Sequence, residues 1–269
     1  MKRILSLLCA LLVVAELSAA RIDTVAVFSP KMERNIEALV IVPEAEATQA
    51  MPVLYLLHGY SGNHTSWQKI TDLRPLAEQY GMLIVCPNGE NSWYWDSPTR
   101  PDSQFETFVS AELPAWVDAH YRTIPSREGR AITGLSMGGH GGLWIGIRHK
   151  QHFGAAGATS GGVDIRPFPK NWRMAEQLGT KEEQPERWDN YTVINQVETL
   201  QEGELAIIFD CGYDDFFYEV NCNLHAKLRK AGISHDFLVR PGAHNSTYWR
   251  TSLPYQLLFF RNFFDRQNP

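Results

Sequence analysis

Short apolar runs alternate with helical segments along most of this 269-residue chain, and this alternation limits the folds available to it. The runs "PVLYLLHG" (52–59) and "MLIVCP" (82–87) are continuously apolar, as expected for strands buried on both faces of a sheet. Between them, "ITDLRPLAEQYG" (70–81) predicts a helix that ends at glycine. Strands that alternate with helices predict an α/β fold, in which helices cover both faces of a mostly parallel sheet.

The same pattern extends to both ends of the chain. "TVAVFS" (24–29) and "IEALVIVP" (36–43) predict an early hairpin, and the apolar spacing from Phe105 predicts a helix that Pro114 should kink. Further strands are predicted within 130–136, 153–161, 204–212 and 235–242, and further helices within 137–150, 219–231 and 247–264. The polar segment 162–190 is too long for an ordinary connection, so we expect a lid-like insertion over the active-site edge of the sheet.

One motif carries chemistry: "GLSMGGHGGL" (134–143) places Ser136 between Gly134 and Gly138, as GxSxG between a strand and a helix. This is the context of a nucleophile elbow, whose sharp turn leaves no room for side chains two positions away from the serine. A serine hydroxyl needs a base to take its proton and a third group to orient that base. Taken alone, the motif is also compatible with a plain turn, so these partners decide its meaning.

Candidate partners follow the two last predicted strands. His244 lies in the loop "PGAHNS", just before the final helix, and is the predicted base. Asp214 and Asp215 follow the strand 204–212, whereas Asp210 lies inside it. The GxxD spacing from Gly212 favours Asp215 as the acid and leaves Asp214 as the alternative.

A tetrahedral intermediate needs backbone N–H donors for its negative oxygen. The amide of Met137, directly after the serine at a helix N-terminus, is one predicted donor. The amide of Tyr60, in the loop after the strand 52–59, is the other. For the neighbouring His58, a structural hydrogen bond is the expected role.

Together, "YLLHGYSGNHTSW", "GLSMGGHGGL", "DCGYDDFFYEVN" and "GAHNSTYW" resemble the esterase D family of α/β-hydrolases. This family includes S-formylglutathione hydrolases, tributyrin esterases, and the feruloyl and acetylxylan esterases of carbohydrate esterase family one. The resemblance spans residues 55–249. It implies an α/β-hydrolase fold and a serine carboxylesterase with Ser136, His244 and Asp215 as its triad, acting without metal or cofactor.

The first twenty residues, "MKRILSLLCALLVVAELSAA", place two basic residues before a short apolar run and end in small residues. This pattern is typical of a secretory signal, and the run is too short to cross a bilayer. We therefore expect an exported, periplasmic or extracellular protein in which residues 21–269 form one domain without stable membrane insertion.

Composition and spacing exclude several classes of partner. The formal net charge is −5 and no basic run occurs, which argues against binding to nucleic acid. Neither CxxC nor HExxH occurs, so no metal site is predicted. Cys211 and Cys222 could pair or remain buried free thiols.

Loop tryptophans suggest the substrate class, which we expect to be a small acyl ester or an acylated polysaccharide. Exposed rings of Trp67, Trp93 and Trp95 beside the serine could stack on sugars, although packing inside the protein is the alternative for each ring. Other tryptophans expected near this edge are Trp172, Trp188 and Trp249. These features together predict a secreted esterase that removes acetyl or feruloyl groups from carbohydrate.

Three alternatives stay open at this point. The first is a general short-chain esterase, and the second is an acyltransferase of the mycolyltransferase type. The third is a catalytically silent carbohydrate-binding protein on the same fold. Export argues against S-formylglutathione hydrolase itself, whose substrate belongs to the cytoplasm.

Overall fold

A computed structural model describes residues 20–267 of the chain. The predicted signal, apart from Ala20, lies outside the described residues. The strands are β1 Arg21–Ser29, β2 Arg34–Val42, β3 Val53–Leu57, β4 Leu83–Pro87, β5 Arg130–Gly134, β6 Ala155–Thr159, β7 Ala206–Gly212 and β8 Asp236–Arg240. They form an eight-stranded sheet in the order β1-β2-β4-β3-β5-β6-β7-β8.

The sheet is mostly parallel, as predicted. β1 and β2 form the antiparallel hairpin, β2 pairs antiparallel with β4, and all later pairings are parallel. The α-helices are α1 Ser66–Ile70, α2 Arg74–Tyr80, α3 Phe105–Thr107, α4 Leu113–His120, α5 Met137–Arg148, α6 Met174–Leu178, α7 Pro185–Asn190, α8 Val193–Gln196, α9 Tyr218–Ala231 and α10 Ser246–Gln267. Short 3-10 turns cover Glu44–Ala47, Arg127–Gly129 and Val197–Thr199.

Two apolar layers sandwich the sheet. Alternate residues of β3 face opposite sides: Tyr55 and Leu57 belong to one buried cluster, and Leu54 and Leu56 to the other. Helices α4, α5 and α9 contribute to the first cluster, whereas α1, α2 and α10 contribute to the second. Burial on both faces explains why these strands read as continuous apolar runs.

The predicted helix over 70–81 is shorter in the structure. Thr71 is extended, with φ −156° and ψ 149°, so α1 ends before it and α2 begins at Arg74. The Asp72 carboxylate accepts a hydrogen bond from the Arg74 amide (3.1 Å), which satisfies a free donor in the first turn. The helix ends as predicted at Gly81, which is left-handed with φ 55°.

The kink expected at Pro114 takes the form of a π-helical turn, Phe108–Glu112, between α3 and α4. Proline has no N–H to donate to the carbonyl four residues earlier, which is that of Ser110. The Ser110 carbonyl instead accepts a hydrogen bond from His152 Nδ1 (2.8 Å). A side chain from a neighbouring element therefore replaces the missing helical bond.

Asp210, near the end of β7, is 2% exposed and anchors α10 to the sheet. Its carboxylate accepts hydrogen bonds from Thr159 Oγ1 (2.9 Å), Ser252 Oγ (2.8 Å) and Gln256 Nε2 (2.7 Å). Burial raises its pKa, and these three donors oppose that rise. Asp210 is thus a structural carboxylate within the core.

The segment 162–190 contains α6 and α7 and is anchored in the first apolar cluster by Met174, Leu178 and Trp188. The Trp188 indole donates to the Gly179 carbonyl (3.0 Å). Trp172 in the same segment packs against Phe216. The insertion therefore contacts the loop that follows β7.

Candidate active site

Ser136 lies in the sharp turn between β5 and α5. Its φ of 57° and ψ of −116° are strained for a residue that carries a Cβ. Three backbone hydrogen bonds hold this conformation: the Ser136 amide donates to the Thr159 carbonyl (2.9 Å), and its carbonyl accepts from the amides of His140 (3.0 Å) and Gly162 (3.3 Å). This is the geometry of a nucleophile elbow.

Both glycines of the motif are required by close approach to β3. A Cβ at Gly134 would lie 2.5 Å from the Leu57 carbonyl oxygen, and one at Gly138 would lie 2.4 Å from the same atom. Backbone atoms cannot move aside as a flexible side chain can, so larger residues would push the elbow away from the sheet.

The structure brings Ser136, His244 and Asp215 into one hydrogen-bonded chain. His244 Nε2 lies 2.9 Å from Ser136 Oγ, and His244 Nδ1 lies 2.8 Å from Asp215 Oδ2. The three residues come from the turn after β5, the loop after β7 and the loop after β8. Because these strands are parallel, their C-terminal ends meet at one edge of the sheet. A base within reach of a nucleophile, and itself held by an acid, is an arrangement suited to acyl transfer.

Asp215, and not Asp214, contacts the histidine. The Asp215 side chain is fully buried, and its Oδ1 also accepts a hydrogen bond from the Phe217 amide (2.8 Å). Asp214 is exposed to solvent, and its amide donates to the Gly242 carbonyl (2.9 Å). The two adjacent carboxylates therefore point into different surroundings.

The two predicted oxyanion donors belong to segments that lie close to the serine. Met137 is the first residue of α5, and the loop that carries Tyr60 passes so close that a Cβ at Gly59 would lie 3.3 Å from Ser136 Cβ. Among residues 20–267, neither the Met137 nor the Tyr60 amide donates a hydrogen bond to another protein group. Both N–H groups are therefore available to a negative oxygen formed above Ser136.

His58 fixes the loop that carries Tyr60. Its Nε2 accepts from the Gly89 amide (2.8 Å), so its Nδ1 carries the proton and donates to the Gly59 carbonyl (2.7 Å). That carbonyl belongs to the same peptide group as the Tyr60 amide, so this bond sets the direction of the amide. Burial lowers the pKa of His58 to about 4, which keeps the ring neutral. The expected structural hydrogen bond is present.

The prediction that Trp67, Trp93 and Trp95 present exposed rings to substrate is wrong. They are 1%, 1% and 0% exposed. The Trp67 indole donates to the Leu57 carbonyl (2.9 Å), whereas Trp93 and Trp95 stack on each other with ring centroids 5.6 Å apart. The three rings are buried because removing large aromatic surfaces from water is favourable, although the Trp93 indole N–H has no hydrogen-bond partner among the described residues.

Trp95 is also paired with a histidine of the elbow helix. Its Nε1 donates to His140 Nε2 (2.8 Å), and the other ring nitrogen of His140 therefore donates to the Gly162 carbonyl (3.0 Å). Burial lowers the pKa of His140 to about 4. This neutral histidine joins α5 to the start of the insertion.

The aromatic surface beside His244 comes instead from Phe216 and Trp172, which we term the aromatic shelf. Phe216 is 50% exposed, and its ring centroid lies 4.2 Å from that of His244. Trp172 stacks on Phe216 at 5.6 Å. Phe216 was not among the residues predicted for the site, although an aromatic side chain directly after the candidate acid is a signal visible in the sequence. Trp249 also packs edge-on to His244, at 5.1 Å.

Three further sequence features concern the cysteines, possible metal ligands and possible membrane spans. Cys211 and Cys222 are both free thiols. Within residues 20–267, the structure has no group of three or more His, Cys, Asp or Glu side chains placed to hold a metal ion. No helix in the same range is long and apolar enough to span a membrane.

Known proteins resemble this chain over most of its length. It is 28% identical to an acetyl esterase of Caldicellulosiruptor saccharolyticus, over 82% of this chain and 91% of the other. A solved ferulic acid esterase superposes with a TM-score of 0.79 and 28% identity, over 91% of this chain and 98% of the other. The diacylglycerol acyltransferase/mycolyltransferase Ag85A of Mycobacterium tuberculosis is 34% identical over 146 residues, covering 51% of this chain and 41% of that protein.

A family model described as "Putative esterase" matches residues 29–260. The match covers all eight strands except most of β1, and it includes each residue of the hydrogen-bonded chain. The resemblance drawn from the sequence motifs is thereby confirmed at the level of the family. The chain belongs to this esterase family and is a carboxylic ester hydrolase of the α/β-hydrolase fold.

Proposed function

We propose that the protein hydrolyses short-chain acyl esters, with Ser136 as nucleophile, His244 as general base and Asp215 as the acid that orients it. The observation that carries this proposal is the continuous hydrogen-bonded chain through the three side chains. The strained elbow and the two available amides of Met137 and Tyr60 support it further.

The reaction follows from this geometry. His244 Nε2 takes the proton of Ser136 Oγ as the oxygen attacks the ester carbonyl, and the amides of Met137 and Tyr60 bind the resulting oxyanion. His244 then protonates the leaving alcohol, and an acyl-enzyme remains on Ser136. Water, deprotonated by His244, attacks this intermediate and releases the acid. Asp215 stays ionised and stabilises the imidazolium that forms twice in each cycle.

For the substrate, we propose acetyl or feruloyl esters of carbohydrate. Similarity to an acetyl esterase and to a ferulic acid esterase supports these acyl groups. The aromatic shelf supports them as well, because an exposed ring beside His244 can stack on a sugar or on an aromatic acyl group.

We also propose that the enzyme is exported to the periplasm or the extracellular space, on the basis of the signal pattern in residues 1–20. Mass determination of the protein secreted from cells expressing the full gene tests this. Loss of residues 1–20 supports export, whereas an intact chain retained in the cytoplasm contradicts it.

Acyl transfer is the second candidate, and the similarity to a mycolyltransferase over half of the chain favours it. The two activities share the acyl-enzyme and differ in the acceptor that resolves it. Hydrolysis therefore predicts that added sugar alcohol leaves the release of free acid unchanged. Transfer predicts that a new ester replaces the free acid.

The decisive experiment compares p-nitrophenyl acetate, butyrate and octanoate with methyl ferulate and acetylated xylan. Each is tested on the parent, on Ser136→Ala, and on Ser234→Ala, which alters an exposed serine before the N-terminal end of β8, whereas Ser136 follows the C-terminal end of β5. We expect hydrolysis of acetate or ferulate esters that falls by on the order of 10⁴ or more in Ser136→Ala and persists in Ser234→Ala. A folded parent that turns over none of these esters would contradict the proposal.

A further inference from the structure

A small polar cavity of about 180 Å³ lies between the loop after β4 and helix α6 of the insertion. Every residue that lines it is polar or charged. Those used below are Glu90, Asn91, Arg100, Arg173, Glu176 and Gln177. Burial of an apolar acyl chain against such a lining would not be favourable, whereas a group rich in hydroxyls could form hydrogen bonds with its donors and acceptors.

Two lining residues connect the cavity to the candidate active site. On one side, the Asn91 side chain accepts a hydrogen bond from the Ser61 amide (2.7 Å), and Ser61 directly follows the oxyanion donor Tyr60. On the other side, Arg173 directly follows Trp172 of the aromatic shelf, which reaches His244 through Phe216. The cavity wall thus contacts the loop that carries the oxyanion donor and is linked to the base through two aromatic rings.

Gln177 gives the cavity an unused hydrogen-bonding group. The residue is only 4% exposed: its side-chain Oε1 is enclosed by the protein without a hydrogen-bond partner, and its Nε2 donates to no other protein group among the described residues. Its backbone is held firmly, because its carbonyl accepts from Ser97 Oγ (2.7 Å) and Thr99 Oγ1 (3.0 Å). Buried amides normally have partners, so an unpaired one in a cavity wall is suited to a ligand hydroxyl.

The charges around the cavity are already paired within the protein. Arg173 binds Glu176 (2.6 Å), and Arg100 binds Asp102 (2.8 Å). Glu90 binds Arg34 (2.6 Å). Because neither sign is in excess, the lining favours a neutral polyol over an anion.

We propose that this cavity binds a neutral sugar ring of the ester substrate and that Gln177 Nε2 donates a hydrogen bond to one of its hydroxyls. The proposal rests on the esterase function above and assigns the carbohydrate part of that substrate to a defined place. Contacts to a part of the substrate that does not react raise its kcat/KM relative to an ester that lacks this part.

The test uses one acyl group on two alcohols: methyl ferulate and feruloylated arabinose, or the matching methyl and xyloside acetates if the parent prefers acetate. In Gln177→Leu we expect kcat/KM for the sugar ester to fall about tenfold, mainly through KM, since one hydrogen bond is lost. The methyl ester should stay within about twofold. Gln201→Leu, at an exposed glutamine, is the matched control and should change neither.

A structural role for Gln177 predicts a different pattern. If Gln177→Leu lowers the rate for both esters alike, or for neither, the proposal is overturned. The melting temperature should not fall in Gln177→Leu, because leucine replaces an unpaired buried acceptor.

Binding is measured separately from turnover. Isothermal titration of the sugar ester into Ser136→Ala should show affinity about tenfold above that of Ser136→Ala/Gln177→Leu. Equal affinities, or no binding to either protein, overturn the cavity proposal. A parent that binds the sugar ester at this cavity but hydrolyses neither ester would contradict the proposed function alone.

Discussion

Asp210 lies near the end of β7 and Asp215 follows five residues later in the next loop; both are buried, yet their hydrogen-bond partners differ. Asp210 accepts hydrogen bonds from side chains of β6 and α10, which tie the last helix to the sheet. Asp215 bonds to His244, which in turn bonds to Ser136. Burial of a carboxylate therefore does not identify a catalytic acid. The decisive feature is whether its partner reaches a nucleophile.

The largest effect should come from Asp215→Asn. Asparagine keeps the size of the side chain but removes the charge that stabilises the His244 imidazolium. We expect kcat/KM on the best acyl ester to fall on the order of 10³, with the free energy of unfolding changed by less than about 1 kcal/mol. Ester hydrolysis and urea denaturation measure the two quantities. Full activity in this variant would remove the distinction between the two carboxylates.

Asp210→Asn should show the reverse pattern. The new amide would turn N–H donors toward Gln256 Nε2 or Ser252 Oγ, which themselves donate to Asp210. We expect the free energy of unfolding to fall by about 2 kcal/mol, because a buried network would lose a partner. At 25 °C the folded variant should keep kcat within about threefold of the parent. A loss of kcat without a loss of stability would place Asp210 in the catalytic machinery.

Two buried neutral histidines make the free energy of unfolding depend on pH, which adds a second test of how burial affects ionisable groups. His58 and His140 have pKa values of about 4, below the ordinary value of 6.5, so the unfolded chain takes up protons first as pH falls. The part of the free energy of unfolding that these two neutral histidines contribute is therefore fully present above pH 6.5 and is lost progressively down to about pH 4. At pH 5 the loss should be about 2 kcal/mol for each histidine.

This dependence is measured by urea denaturation between pH 7.5 and 4.5. In His140→Gln, the free energy of unfolding should fall less as pH decreases, because the contribution of one of the two histidines is gone. Gln201→Leu, at an exposed residue that does not titrate, is the control and should keep the slope of the parent. An unchanged slope in His140→Gln would contradict the assignment of His140 as a buried neutral group.

Asp214→Asn should have the smallest effect. Asp214 is exposed and does not contact His244, so we expect kcat/KM and the free energy of unfolding to stay close to those of the parent. Ester hydrolysis and urea denaturation, run beside Asp215→Asn, test this. If activity is lost in Asp214→Asn and kept in Asp215→Asn, the choice of acid is wrong.

The sequence predicted the elements that depend on local patterns. Continuous apolar runs located the buried strands, and GxSxG between a strand and a helix located Ser136, because the elbow needs Gly134 and Gly138 where β3 passes. Chain order located His244, and spacing favoured Asp215 over its neighbour. Each of these inferences uses residues close together in sequence or a topology shared by parallel sheets.

Side-chain placement across distant segments was not predictable in the same way. Trp67 is buried because its indole N–H meets the Leu57 carbonyl on another element, which no local pattern shows. The aromatic shelf forms only where the insertion carries Trp172 onto Phe216. The break between α1 and α2 was missed for a different, local reason: the apolar spacing does not show that Asp72 accepts from the Arg74 amide and Gln68 from the Leu73 amide.

The central claim is that His244 and Asp215 activate Ser136. Fluorophosphonate labelling followed by peptide mass spectrometry tests it most directly, because the probe reacts with an activated serine without needing the natural substrate. We predict a single adduct on Ser136 in the parent, greatly slowed labelling in Asp215→Asn, and unchanged labelling in Asp210→Asn and Asp214→Asn. An adduct on another serine, or labelling of Ser136 that does not depend on Asp215, would contradict the account.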